Sequence, residues 1–132
     1  MTPAFYSLDT HTLFWYEFAD PQLSPNAANV FAEAELGRAV LILNPIVLGE
    51  FYYTLRKFGL EAEFPAYLAT IEGNPIYRVE PITLDDLRRL HNFAEIPEMH
   101  DRLIAIQATR LGAVLVTRDR AIQASPQVRW LW

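Results

Sequence analysis

The sequence predicts an α/β protein with a three-layer α/β/α fold, in which helices cover a central, mostly parallel sheet of four or five strands. Two observations lead to this class. Short apolar runs of strand length alternate with longer segments whose apolar residues recur at helical spacing. A helix between two strands provides the crossover that a parallel pair needs, and right-handed crossovers cover both faces of the sheet. The 132 residues suffice for one core, so a single domain is expected over residues 1–132.

The predicted strands are short apolar runs bounded by turn residues. The first, AFYSL, lies between Pro3 and Asp9. The second, AVLIL, is a continuous apolar run, which is typical of a strand buried on both faces. The five predicted strands are residues 4–8, 39–43, 76–79, 114–117 and 128–132.

The predicted helices are marked by caps, prolines and glycines. Ser24 and Asn44 are each N-cap residues followed by a proline, and Gly37 and Gly59 each follow the end of a helical pattern. The predicted helices are residues 10–18, 24–36, 44–58, 61–71, 83–93, 98–111 and 119–124.

The composition excludes several classes of function. The chain has no cysteine, which rules out disulfides and thiolate metal sites and favours a cytoplasmic location. No apolar run reaches the ~18 residues of a membrane span, and no signal-peptide pattern is present, so no membrane association is expected. The net charge of −5 disfavours non-specific binding of nucleic acid but permits a nuclease whose site consists of carboxylates. The hydrophobic share of 52% suggests apolar surface that a partner chain covers.

Four acidic residues are predicted to meet at one edge of the sheet. Asp9 follows the first strand, and Asp119 comes directly after the fourth. Glu50 lies in the second turn of the helix after the second strand, and Asp101 lies in the first turn of the helix before the fourth. All four positions are at the carboxyl ends of parallel strands, where α/β proteins place their chemistry. Clustered carboxylates without thiolates suit a hard cation, Mg²⁺ or Mn²⁺.

Helical-wheel positions refine this prediction for the two helical acids. Glu50 falls at the margin of the buried face of its helix, which is formed by Val47, Phe51, Leu55 and Phe58. Asp101 lies on the core-facing stripe of its own helix, whereas Gln107 is predicted to point away from that stripe. The other acids, Asp86 among them, are expected on solvated faces.

Each acid also has a plain structural interpretation. Asp9 and Asp119 would serve as helix N-caps, and Glu50 as a surface residue whose stem lies on the core. Asp101 would pair with Arg102 or Arg118. Their joint occurrence at one edge favours a functional site. Two histidines, His11 and His100, lie beside these acids and are interpreted as supporting residues rather than as metal ligands.

Four segments together resemble the PIN domain family, and within it the VapC-type ribonuclease toxins of bacterial type II toxin–antitoxin pairs. They are LDTHTLFW around Asp9, PIVLGEFYYTL with Glu50, PEMHDRLIAIQATRLGA around Asp101 and LVTRD with Asp119. The resemblance covers essentially the whole chain and implies a single PIN-like nuclease domain with Mg²⁺- or Mn²⁺-dependent endoribonuclease activity.

The resemblance also implies roles for individual residues. The catalytic and metal-binding set is Asp9, Glu50, Asp101 and Asp119. Asp9 and Asp101 are expected to be the principal ligands, and Glu50 to orient the attacking water or complete the ligand shell. Behind them, Thr117 matches the family's serine or threonine two residues before the last acid, and Thr10 is assigned a supporting position next to Asp9.

Partners follow from the same resemblance. An RNA substrate, a cognate antitoxin and a homodimer are implied, with no membrane. Aromatic residues are expected either to line the groove or dimer contact or to lie in the core: Phe14, Trp15, Tyr16, Phe18, Tyr52 and Tyr53. The cations available for phosphate contacts are Arg56, Lys57, Arg88, Arg89, Arg102, Arg118 and Arg120.

Two other functions remain open on the sequence. In an aspartyl-phosphate phosphatase Asp9 would be the nucleophile. Such sites usually carry a second acid two residues further on, where this chain has His11. In a non-catalytic binding or scaffold module for RNA processing, the acids would hold the fold or a metal without cleavage.

Overall fold

A computed structural model describes residues 2–132 and contains a five-stranded sheet in which every neighbouring pair is parallel. The strand order is β3-β2-β1-β4-β5. The predicted α/β class and mostly parallel sheet are therefore confirmed. The strands are β1 Ala4–Leu8, β2 Ala39–Leu43, β3 Tyr77–Val79, β4 Val114–Val116 and β5 Trp130–Leu131.

Seven α-helices connect these strands in the described part of the chain: α1 Thr10–Glu17, α2 Pro25–Glu35, α3 Pro45–Lys57, α4 Phe64–Gly73, α5 Leu84–Arg88, α6 Met99–Arg110 and α7 Arg120–Gln123. Two of them differ from their predicted bounds by more than two residues at one end, because part of each predicted segment is a 3₁₀ turn. Helix α4 begins three residues later, after the turn Glu61–Glu63, and α5 ends five residues earlier, before the turn Leu90–Phe93. Pro65 explains the late start of α4, because proline lacks the N–H for an α-helical bond to the preceding turn and is tolerated only where a helix starts. No helix among residues 2–132 is long and apolar enough to cross a membrane.

The strand order reverses between β1 and β4. The chain runs from β1 outwards to β2 and β3, then returns to the other side of β1 to form β4 and β5. Right-handed crossovers place the helices of the outward path, α1–α4, on one face and those of the return path on the other. At the reversal Leu8 pairs with Val116, one residue before Asp9 and three before Asp119. Such a reversal leaves a crevice beyond the carboxyl ends of the two strands.

Two of the helical-wheel predictions are wrong. Phe58 is 65% exposed, because α3 ends at Lys57 and the wheel no longer applies beyond it. Gln107 is fully buried instead of pointing away from the core. Its side chain accepts a 2.9 Å hydrogen bond from Asn44 and donates to the main-chain carbonyl of Glu80, so the buried amide is satisfied.

Candidate active site

Asp9 ends β1 and begins α1. Its Oδ1 accepts bonds from the main-chain N–H of Thr12 at 3.0 Å and from the Thr12 hydroxyl at 2.7 Å, so it is the N-cap of α1. The same hydroxyl lies 2.9 Å from the carbonyl oxygen of Val116, which joins the cap to β4. Burial raises the pKa of Asp9, although the hydroxyls of Thr117 and Thr12 oppose that shift. The carboxylate is thus held firmly in a site that disfavours its charge.

Asp119 has the matching position after β4. Its Oδ1 accepts from the main-chain N–H groups of Ala121 and Ile122 at 2.8 and 3.3 Å, which caps α7. The buried hydroxyl of Thr117 accepts a 3.0 Å bond from the Asp119 N–H and so fixes the turn. The N-cap interpretation is therefore right for both Asp9 and Asp119. It does not compete with a functional site, because each cap uses Oδ1 and both residues lie at the reversal of strand order.

Glu50 is fixed from two directions. Its Oε1 accepts a 2.7 Å hydrogen bond from the Thr10 hydroxyl at the start of α1, and its Oε2 lies 3.3 Å from His100 Nδ1 at the start of α6. One third of the side chain is exposed. Glu50 is therefore not a free surface carboxylate. From α3 it connects the start of α1, after β1, with the start of α6, before β4.

Asp101 differs from the other three acids, because no donor among residues 2–132 hydrogen-bonds its carboxylate. Its main-chain N–H donates to the Glu98 side chain at 2.9 Å, which caps α6. The alternative interpretation, a pairing with Arg102 or Arg118, is not found among residues 2–132. The Arg102 guanidinium donates at 2.7 Å to the carbonyl of Ile96, and the Arg118 guanidinium donates to Gln22. Burial, and then the nearby charges of Asp119, Glu98, Glu50 and Asp9, raise the pKa of Asp101 to about 7.

One cleft of about 610 Å³ is lined by all four predicted acids. The structure thus brings Asp9, Glu50, Asp101 and Asp119 together from four parts of the chain. Within residues 2–132, no three Asp, Glu or His side chains already stand where they could hold one ion together. The donor set still fits Mg²⁺, which is usually held by one or two carboxylates and keeps several waters. The nearby negative charges, which add to burial in raising the pKa of Asp101, also fit a bound cation.

Sequence reasoning missed one acid in this cleft and misjudged another outside it. Glu98 lines the cleft and adds to the negative charge around Asp101. The signal in the sequence is its place at the start of the helix that carries Asp101. Asp86 is fully buried, not solvated, and its carboxylate forms a two-point ion pair with Arg110. Of the predicted phosphate contacts, Lys57 and Arg118 line the cleft.

The protein is therefore an α/β protein with an all-parallel sheet and an acidic cleft at the reversal of strand order, where carboxylate oxygens from several elements lie at one sheet edge. The family model for the PIN domain matches residues 6–126. The chain therefore belongs to the PIN domain family.

Solved structures with the same fold support this assignment. VapBC2 from Rickettsia felis, bound to a DNA fragment from its promoter, is 18% identical with a TM-score of 0.72 over 96% of this chain and 97% of that one. Mycobacterium tuberculosis VapC20, a sarcin-ricin loop cleaving toxin, is 19% identical with a TM-score of 0.69 over 94% and 98% of the two chains. DNA-bound VapBC from Salmonella typhimurium is 21% identical, with a TM-score of 0.69 over 98% of each chain. No curated protein matches the sequence significantly.

Proposed function

We propose that the protein is an endoribonuclease that hydrolyses RNA phosphodiester bonds with the help of Mg²⁺ or Mn²⁺, and that it is the VapC-type toxin of a toxin–antitoxin pair. The main support for the proposal is the environment of Asp101. No donor among residues 2–132 bonds its carboxylate, and burial first, then the charges of four other acids, raise its pKa to about 7. Such repulsion opposes folding unless a cation offsets it, so it suits a site that holds metal when it works.

The four acids have different roles in this proposal. Asp9 and Asp101 would be the principal residues that hold an ion, and Asp119 would be a further ligand or support them from behind. Glu50 would orient the attacking water and receive its proton. When bound, the ion lowers the pKa of that water and neutralises charge on the phosphate. Water adds to phosphorus as the P–O bond to the leaving oxygen breaks in line, and the leaving oxygen takes a proton from solvent. Thr10 and His100 hold Glu50 in place, and Lys57 offers a cation for a phosphate in the same cleft.

The partners we propose are a cognate antitoxin and a second copy of the chain, in the cytoplasm. Complexes of toxin and antitoxin are among the solved structures of this fold. On α3 and just beyond it, Tyr53 is 60% exposed and Phe58 65% exposed, which is apolar surface that a partner would cover. Sedimentation of the protein alone and with a candidate antitoxin would measure both associations.

Cleavage of total cellular RNA tests the proposed function. Wild-type protein freed of any antitoxin is expected to cleave with Mg²⁺ or Mn²⁺ and to stop when EDTA is added. Asp101→Asn should abolish cleavage without loss of fold, because the Asp101 carboxylate has no protein donor to lose. Asp85→Asn, which changes an exposed acid, is the matched control. Absence of cleavage by the wild type would favour the scaffold function, and full activity of Asp101→Asn would show that the carboxylate assignment is wrong.

A further inference from the structure

Trp15 lies at the side of the acidic cleft and carries two exposed side chains. The indole is only 6% exposed. The His11 ring lies 5.3 Å from it at 33°, and the Arg118 guanidinium carbon lies 4.4 Å from the ring centroid. Trp132 packs against the same indole at 5.7 Å, and its main-chain carbonyl accepts a 3.1 Å bond from Asn26. Trp15 is therefore a rigid support for two groups that remain accessible.

Among residues 2–132, neither His11 nor Arg118 forms a side-chain hydrogen bond with one of the four acids. Within residues 2–132 no hydrogen bond of the His11 ring is found, and the only hydrogen bond of the Arg118 guanidinium is a long one, 3.4 Å, to Gln22. Both side chains line the cleft that contains the four acids. His11 is two residues from Asp9, and Arg118 is next to Asp119. Any group bound by the pair would be a close neighbour of the reacting phosphate.

These side chains have the chemistry of a site for single-stranded RNA. Proteins bind unpaired bases by stacking them on aromatic rings, histidine included, or on an arginine plane, and bind the adjoining phosphates with cations. A guanidinium that already lies over an indole is pre-positioned, so little of its freedom is lost on binding. The net charge of −5 makes such a local contact more important, because no broad basic surface contributes.

We propose that His11 and Arg118, supported by Trp15, form a nucleotide platform that receives one unstacked base and its phosphate next to the cleaved bond. His11 stacks on the base, and Arg118 binds the phosphate. The platform selects unpaired RNA, because a base inside a helix cannot reach it. This inference rests on the proposed ribonuclease function and deepens it by assigning the residues that recognise the strand.

Single abasic nucleotides test the stacking of His11. The probe is a 12-nucleotide RNA copied from the strongest site at which the wild type cuts total RNA, together with versions that lack one base at each position near the cut. Dissociation constants are measured with Ca²⁺ in place of Mg²⁺, and kcat and KM with Mg²⁺. Loss of the stacked base should weaken binding by the wild type about tenfold and binding by His11→Ala much less. His11→Phe keeps a flat ring and should restore the wild-type pattern, whereas His91→Ala is the control.

Salt dependence tests Arg118. Arg118→Ala should reduce the slope of log Kd against log salt by about 0.7, the loss of one single-strand phosphate contact. Arg38→Ala removes the same charge from an exposed residue that does not line the cleft and should leave the slope unchanged.

The outcomes separate this inference from the function on which it rests. Coupling between His11 and one base, with an unchanged melting temperature, supports the platform. If the wild type cleaves RNA but the effects of His11→Ala and of every abasic position are additive, the platform alone is overturned. The platform is also overturned if the variants only lower the melting temperature, because the two side chains would then merely shield Trp15 from solvent. Absence of RNA cleavage by the wild type overturns the proposed function and the platform together.

Discussion

The hydroxyl of Thr10 donates a 2.7 Å hydrogen bond to Oε1 of Glu50, forty residues further along the chain. This bond joins the first residue of α1 to the second turn of α3, so it links the ends of β1 and β2 at the sheet edge where the acids gather. Thr10 is 7% exposed, and its hydroxyl has no other partner among residues 2–132. The bond therefore fixes where the Glu50 carboxylate points within the cleft, which Thr10 also lines.

Replacing Thr10 by valine should impair cleavage more than folding. Valine has nearly the same shape but no hydroxyl, so Glu50 loses its anchor on α1 while packing is kept. A hydrogen bond to a charged group contributes ~1.5–3 kcal/mol, so we expect kcat/KM to fall about tenfold or more. Thr70→Val, which removes an exposed hydroxyl bonded within α4, is the control. Equal kcat/KM values for the two variants would contradict a positioning role for Thr10.

Substitutions at Asp9 should separate its cap from its chemistry. Asparagine caps a helix about as well as aspartate, so Asp9→Asn should melt near the wild type and yet lose cleavage. Asp9→Ala loses both, with about 1 kcal/mol less stability from the missing cap. Thermal melts with cleavage assays of both variants test this. Retained cleavage in Asp9→Asn would mean that only the cap matters.

Much of the fold was predictable because its signals are local. An apolar strand followed directly by an N-cap residue marks both the edge of the sheet and the start of a helix. The positions of Asp9 and Asp119 could therefore be predicted from the sequence. Once four such junctions are known, parallel pairing brings their acids to the same edge. The order of the strands adds the crevice between β1 and β4, which no local pattern predicts.

The features that sequence reasoning missed depend on partners far along the chain. Gln107 looks like a polar surface residue on a helical wheel, but Asn44, 63 residues away, satisfies its amide in the core. Asp86 resembles an ordinary first-turn acid, yet Arg110, 24 residues away, makes its burial possible. Periodicity reports only apolar faces, so it cannot identify a polar group whose burial is matched from another element.

The ion pair between Asp86 and Arg110 is predicted to support the fold and not the chemistry. Burial raises the pKa of Asp86, but the bonds from Arg110 and from the N–H of Thr83 lower it more, so the net shift is downwards. Asp86→Ala leaves Arg110 without its partner and should cost roughly 3 kcal/mol of unfolding free energy in urea at pH 7. Because the folded pKa is depressed, this contribution should decline as pH falls below about 4.

Activity provides the complementary measurement for Asp86. At low temperature, where the variant is still folded, Asp86→Ala should cleave at the wild-type rate per folded molecule. Asp85→Ala, on an exposed neighbour, is the control and should change neither quantity. A large loss of kcat in folded Asp86→Ala would instead connect this pair to the cleft.

The stability of the metal-free protein should fall as pH rises from about 4 to about 7, and Asp101 should account for part of that fall. The pKa of Asp101 is raised to about 7 in the folded protein, so the folded state binds this proton more tightly than the unfolded chain does. A group of that kind stabilises the fold below its unfolded pKa and ceases to do so as pH passes the folded pKa.

The pKa of Asp9 is raised as well, so a variant of Asp101 is needed to separate the contributions of the two residues to the pH dependence. In EDTA, Asp101→Asn should therefore lose less melting temperature than the wild type between pH 5 and pH 8. Addition of Mg²⁺ at pH 8 should raise the melting temperature of the wild type more than that of Asp101→Asn, because the ion offsets a charge that the variant lacks. Identical pH and Mg²⁺ responses in the two proteins would mean that Asp101 is neither strained by its neighbours nor a ligand.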